Sequence, residues 1–181
     1  VNGFSCAIIG QGKLTINCAD LLLAAGNSIC GIVTASAEVR DWAKQKNIPS
    51  ITPSDNQTDF LTQFDFDFLF SIINPNKVNA DILRLPKRAA INFHDAPLPR
   101  YAGLHVTSWA LINQENAFGI TWHKMSEEFD AGEIFKQVEF PIDDDETAFS
   151  LNVKCFQHGE TQFESLIAEL AQGDISGVAQ D

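Results

Sequence analysis

Short apolar runs alternate with stretches whose hydrophobic positions recur every three to four residues, a rhythm that predicts strands alternating with helices. Phe4 to Ile9 predicts a buried strand, Gly10-Gln11-Gly12 a turn, and Leu14 to Ala25 a helix stopped at Gly26-Asn27. Ser28 to Val33 follows as a second strand, Ala37 to Gln45 as a helix, and Ile48-Pro49-Ser50-Ile51 as a short third strand. Polar Thr52 to Thr58 predicts a loop. Phe66 to Ile73 is a fourth strand closed by Asn74-Pro75, and Lys77 to Leu83 a brief helix. Ala89 to Phe93 is then a buried strand with polar residues at its end, and the prolines after it forbid both helix and further pairing. His105 to Asn113 predicts a helix, Phe118 to Met125 and Glu133 to Phe140 an antiparallel pair, and Thr147 to Ala171 a long final helix. The acidic run Asp143 to Glu146 precedes that helix, where its dipole favours negative charge, so a solvated structural role outweighs a chemical one. The implied class is α/β: a single open, mostly parallel Rossmann-like sheet with helices on both faces and an antiparallel C-terminal strand pair.

Composition bounds what such a sheet is for. A chain of 181 residues with 45% hydrophobic content supports one sizeable core, so residues 1–181 are expected to form one domain. Twelve Lys and Arg against 24 Asp and Glu give a net charge of -12, which argues against nucleic acid and anionic membranes as partners. No run approaches the ~18 uninterrupted apolar residues of a membrane span, and no basic segment precedes a signal-like apolar one. The cytoplasm is the expected compartment. Cys6, Cys18, Cys30 and Cys155 show no metal-type spacing, and Cys6, Cys30 and Cys155 lie in apolar stretches, which suits buried thiols in a reducing environment. The chain begins at Val1 rather than Met, compatible with a piece of a longer polypeptide.

Candidate chemistry concentrates in one place. Gly10-x-Gly12 after the first strand suggests a dinucleotide site, but Thr15 stands where a third glycine is needed and Thr34-Ala35-Ser36 supplies no acid for a ribose, so a structural turn is favoured. Asp65 and Asp67 alternate with phenylalanines and edge the fourth strand. His123 and His158 are expected to be core histidines. His94, His105 and His123 match no zinc signature, so no metal site is predicted. The stretch Asn92-Phe93-His94-Asp95-Ala96-Pro97-Leu98-Pro99 differs from these. It places an amide and an imidazole at a strand's C-terminal mouth, where open α/β sheets bind ligands, and Asp130-Ala131-Gly132 follows after the next strand.

INFHDAPLPRYAG and FGITWHKMSEEFDAGEIFKQVEFPIDDDETA resemble the folate-dependent formyltransferase family, whose pattern is Asn-x-His-x-x-x-Leu-Pro-x-x-x-Gly, then Gly-x-Thr and an Asp-x-Gly loop. The match runs from Cys6 to about Gly173. Leu98, Pro99, Gly103, Gly119, Thr121 and Gly132 fall on the framework; Ala96, where many members have Ser, and Asp95 depart from it. The resemblance implies catalytic roles for Asn92, His94 and Asp130: Asn92 and His94 donating to an oxyanion, Asp130 accepting the amine's proton. It implies 10-formyltetrahydrofolate as formyl donor, held by Phe70, Ser71, Ile72, Ile73 and Asn74 and by Ser126, Glu127, Glu128 and Phe129. Arg100, Tyr101, His105 and Trp109 are expected around the acceptor. The chain lacks the C-terminal barrel of the methionyl-tRNA members, and the TSWALI stretch after Gly103 and the missing Met look most like formylation domains of nonribosomal peptide synthetases, which implies an aminoacyl group on a carrier protein as acceptor, docking at a basic patch around Lys87, Arg88 and Arg100, and membership of a larger multidomain chain. An amino sugar or other small amine is the main alternative, and a formyltetrahydrofolate hydrolase of the same fold another.

Overall fold

The computed structural model describes residues 3–173 and 176–181. One seven-stranded sheet has the order β3-β2-β1-β4-β5-β6-β7. β1 (Ser5–Gly10), β2 (Ser28–Val33), β3 (Ser50–Ile51), β4 (Phe68–Ile72) and β5 (Ala89–His94) run parallel, whereas β6 (Ala117–Lys124) and β7 (Ile134–Pro141) are antiparallel to their neighbours. The predicted class is therefore the observed one. The helices are α1 (Gly12–Ala24), α2 (Ala37–Gln45), α3 (Gln57–Leu61), α4 (Ala80–Leu83), α5 (Val106–Ile112) and α6 (Ala148–Gln172). No helix among the described residues is long and apolar enough to cross a membrane.

Strand parity divides the core. Phe68, Phe70, Ile72, Ile91, Phe93, Ile120 and Trp122 pack on one face against α1, α2, α5 and α6. Ala7, Ile9, Val33, Leu69 and Ala90 form the other face, under Leu61 of α3 and Ile82 of α4. Burying these side chains is the main stabilising contribution, at ~25 cal/mol per Å² of apolar surface.

Two boundaries differ from expectation for local reasons. The predicted loop Thr52 to Thr58 runs into α3, a single turn begun by Asn56, whose side chain accepts from the Asp59 N–H at 3.1 Å, and anchored by buried Leu61. The fourth strand starts at Phe68 rather than Phe66. Asp67 instead accepts from the Ser5 backbone N–H at 2.9 Å and pins the start of β1, while Asp65 pairs with Lys87. The acidic run is also structural: Asp143 and Glu146 both hold Lys154 of α6, and Thr147 with Ser150 closes a capping box at that helix's start. All four cysteines are free; Cys6, Cys18 and Cys155 are buried, but Cys30 is only half-buried, in the part of β2 that the short β3, paired with Ile32 and Val33, does not flank.

The Gly10 turn serves packing. A Cβ there would sit 2.5 Å from the Ile72 carbonyl oxygen, and the Thr15 hydroxyl donates to the carbonyls of Gln11 and Ile72 at 2.9 and 3.3 Å. Thr15 thus fills the space a third glycine would leave open. Gly159, in the middle of α6, marks the other tight approach. Its carbonyl accepts from Trp122 Nε1 at 3.0 Å, and a Cβ there would lie 2.4 Å from the Phe93 ring. Helix propensity favours alanine by ~1 kcal/mol. Overpacking a buried ring costs ~1–3 kcal/mol. Gly159→Ala is therefore expected to lower the melting temperature, and calorimetry showing a rise would mean that Phe93 yields freely.

Candidate active site

β5 carries Asn92 and His94 at its end. Their side chains share the face of Leu69 and Ala90 because they are two residues apart along a strand. β6 runs back beside it with Asn92 opposite His123 and His94 opposite Thr121, so four polar residues gather where the same face is otherwise aliphatic. Phe93 and Trp122, of opposite parity, turn towards α6 with their rings 5.2 Å apart. Thr121 donates to the Ala96 carbonyl at 2.8 Å and accepts from the Leu98 N–H at 3.1 Å, which ties down the proline-rich turn after His94.

Asp130 reaches this group from the loop between β6 and β7, in a left-handed conformation with φ of 52°. Its carboxylate lies 3.7 Å from His94 Nδ1 and 3.5 Å from His123 Nε2, and it accepts from the Gly103 backbone N–H at 3.0 Å. The side chains are only 7%, 3% and 10% exposed for His94, His123 and Asp130. A backbone carbonyl only accepts, so His94 Nε2, 2.8 Å from the Tyr101 oxygen, carries a proton and leaves Nδ1 towards Asp130. His123 Nδ1 likewise donates to the Lys124 carbonyl at 3.0 Å. Its Nε2 therefore faces Asn92 at 3.2 Å as well as Asp130, accepting from the amide when neutral and donating to the carboxylate when charged.

Two aspartates flank His94 and are driven apart. Burial raises Asp130, but the His123 hydrogen bond, the neighbouring His94 and the Gly103 N–H outweigh it and hold the carboxyl below the ordinary aspartate range. Asp95 lies above that range. Its burial dominates, opposed by His94 and its own backbone N–H, with Asp130 adding to the rise.

A cavity of about 1180 Å³ opens over these groups, larger than the ~300–1,000 Å³ usual for one small ligand. Asn92, His94 and Asp130 line it, as do Ser71, Ile73, Asn74, Ser126, Glu127, Glu128, Phe129 and His105. Phe70 and Ile72 do not. They pair with the opposite sheet face and are fully buried against the α1 and α6 side, so only Ser71 of that strand turns to the cavity. Arg100 and Tyr101 also stay outside, engaged with Glu115, and Trp109 is 53% exposed on α5, whose buried face is Val106, Thr107 and Ala110. His158 stacks on Phe140 at 4.3 Å and is half-buried at the margin of the core rather than within it. His123 was expected in the core as well, and it is buried, yet it lines the cavity and touches both Asn92 and Asp130. The signal that would have found it is the alternation Gly119-x-Thr121-x-His123 laid antiparallel on Asn92-x-His94. Asp95 and, from α6, Phe149, Asn152 and Phe156 complete the wall.

The formyl transferase family pattern matches residues 77–167, which include the Asn92–Pro99 stretch and Asp130. GDP-perosamine N-formyltransferase of Brucella melitensis is 29% identical over 96% of this chain and 70% of its own length. Among solved structures, the N-formyltransferase of Helicobacter canadensis, in complex with folinic acid and dTDP-3-aminofucose, superposes with a TM-score of 0.83 at 19% identity, over 97% of this chain and 67% of that one. Phosphoribosylglycinamide formyltransferase of Anaplasma phagocytophilum gives 0.85 at 20% identity, over 99% and 94%.

The two flanking aspartates have opposite linkage to stability. Asp130, depressed in the folded state, stabilises it above the ordinary unfolded value of ~3.9, and that contribution is lost as pH falls through the folded value. Asp95, raised, penalises the folded state once ionised, and the penalty disappears below ~3.9. Thermal unfolding at neutral pH should show Asp95→Asn more stable than wild type and Asp130→Asn less stable; the Asp95 difference should shrink as the pH is lowered towards ~4, whereas the Asp130 difference should largely persist there and shrink only at lower pH. The same sign for both variants at neutral pH would refute this electrostatic description.

Proposed function

The chain belongs to the formyl transferase family and is a formyltransferase, and on that premise we propose that it transfers a formyl group from 10-formyltetrahydrofolate to the amine of an amino sugar. The observation that carries this reading is the convergence of Asn92, His94 and Asp130 on one cavity large enough for donor and acceptor together. Folate-bound formyl supplies the carbon, and the amine supplies the nucleophile, so no covalent bond to the protein is needed. Asn92 Nδ2 has two N–H groups; one meets His123, and the other is free to donate to the formyl oxygen as it gains negative charge. His94, its Nε2 proton tied to Tyr101, works through Nδ1, donating to the same oxygen when charged. Asp130, held as a carboxylate, takes the proton that the amine loses on forming its C–N bond. The folate nitrogen takes up a proton as its own C–N bond breaks, which leaves tetrahydrofolate and a formamide.

The donor fits the end of the cavity built by Ser71, Ile73, Asn74 and Ser126 to Phe129. Ile73 is left-handed with φ of 52°, a rare state for a β-branched residue, and it turns the chain away from the sheet at that end. The amino-sugar acceptor is supported by the Brucella and Helicobacter relatives, whose names specify perosamine and dTDP-3-aminofucose. A carrier-bound aminoacyl acceptor is the second reading. It is favoured by Leu104, Trp109 and Ile112, which are 66%, 53% and 66% exposed around α5, next to cavity-lining His105.

A competition assay decides among acceptors. Formyl-labelled 10-formyltetrahydrofolate is offered together with GDP-perosamine, dTDP-3-aminofucose, an aminoacylated carrier protein and initiator tRNA, with free formate measured in parallel. Label is expected on a sugar nucleotide. Label on the carrier protein would replace the acceptor, label on tRNA would contradict the argument from charge, and formate alone would make the protein a hydrolase. His94→Ala and Asp130→Ala should each lower turnover by ~100- to 1,000-fold while the protein stays folded. Near-wild-type turnover in either variant overturns the assigned roles.

A further inference from the structure

Tyr101 lies outside the cavity yet holds one of its working groups. Its backbone oxygen is the acceptor for His94 Nε2 at 2.8 Å, so the direction of that carbonyl decides which imidazole nitrogen is left for chemistry. The carbonyl points there because Tyr101 is left-handed, with φ of 61°, a conformation that a residue with a Cβ adopts only when its surroundings impose it. The Tyr101 hydroxyl donates to Glu115 Oε1 at 2.6 Å and accepts from Asn113 Nδ2 at 2.9 Å. The ring meets Phe118 edge-on at 5.7 Å, and the Arg100 guanidinium, itself bonded to Glu115, lies 5.4 Å from its centre. Two residues later the same turn sends the Gly103 N–H to Asp130 Oδ2 at 3.0 Å. One short segment therefore touches His94 through a carbonyl and Asp130 through an N–H.

We propose that Tyr101 is a positioning residue that, latched from behind by Glu115, fixes His94 with its proton on Nε2 and its Nδ1 towards Asp130. This rests on His94 being the proton-handling group of the proposed function. The side-chain bonds of the latch oppose relaxation of Tyr101 towards ordinary backbone angles; without them the carbonyl swings away and the ring exchanges between tautomers. The Tyr101–Glu115 bond also holds the Glu115 carboxyl below the ordinary glutamate range, ahead of the opposing effect of burial and the added effect of Arg100, so the latch is closed at neutral pH.

The test is long-range 1H–15N NMR of the His94 ring in the full chain, with kcat, KM and melting temperature measured alongside, using the amine labelled in the competition assay. Wild type should show the Nε2–H form. Tyr101→Phe and Glu115→Ala should each give a mixture of tautomers and a kcat lower by ~10- to 100-fold, with KM changed less than ~2-fold. Glu115→Gln, which keeps an oxygen for the hydroxyl, should restore the ring signals and most of kcat. His94 ring signals unchanged in Tyr101→Phe overturn the proposal whatever happens to the rate, and Glu115→Ala answers the same question if Tyr101→Phe does not fold. Full turnover in His94→Ala would instead overturn the functional reading, which the ring signals do not depend on.

Discussion

The antiparallel seating of β6 on β5 is the constraint from which the site follows. With Asn92 opposite His123 and His94 opposite Thr121, these four polar side chains fall on one face, and Phe93 and Trp122 fall on the other. A slip of one residue would send His123 into the α6 core and Trp122 into the cavity. Trp122 resists this. Its ring lies 4.7 Å from Phe163, its Nε1 bonds the Gly159 carbonyl, and it is fully buried. The register that aligns the chemistry is thus locked by the apolar side of the same two strands.

That coupling explains why a site with two histidines and two aspartates is tolerated beside the core. Asp130 is met by a backbone N–H and two imidazoles, which replace much of what water would supply to a carboxylate. Asp95 has only His94 and its own backbone N–H set against its burial, and burial prevails. Carboxyls separated in this manner let one stay charged while the other resists ionisation, a division set by neighbours rather than by residue type.

Most of the architecture was legible because burial on both faces leaves parallel strands as near-continuous apolar runs, and β1, β2 and β5 read that way. α3 was not legible. One turn held by an Asn56 cap and one buried leucine has too short a period to stand out from polar sequence. Spacing and the family resemblance single out Asn92, His94 and Asp130, and the structure brings the three to one cavity. His123 was passed over because Phe118, Ile120 and Trp122 make its strand look like core, and only the pairing with β5 reveals that the odd-numbered residues face elsewhere. The same rule separates Ser71 from Phe70 and Ile72. A strand end offers a cavity only its alternate residues, so the run Phe70 to Asn74 does not act as one unit. Arg100, Tyr101 and Trp109 were misplaced for another reason: the direction of a turn after a proline is a three-dimensional fact that local sequence does not carry.

Backbone strain is concentrated around the cavity. Ile73, Tyr101, His105 and Asp130 are all left-handed without being glycine, at ~1–3 kcal/mol each. All four lie at strand ends or in the turns that follow β4, β5 and β6, where the sheet's hydrogen bonds have just stopped. A regular strand or helix could not aim Asp130 back at His94, nor turn the Tyr101 carbonyl towards Nε2. The rigid sheet and the aromatic packing of Phe70, Trp122 and Phe163 supply the stability against which these departures are held. Relaxing Tyr101 or Asp130 would favour the backbone locally and move a polar group that contacts His94, so local stability and the placing of these groups pull in opposite directions at these two residues.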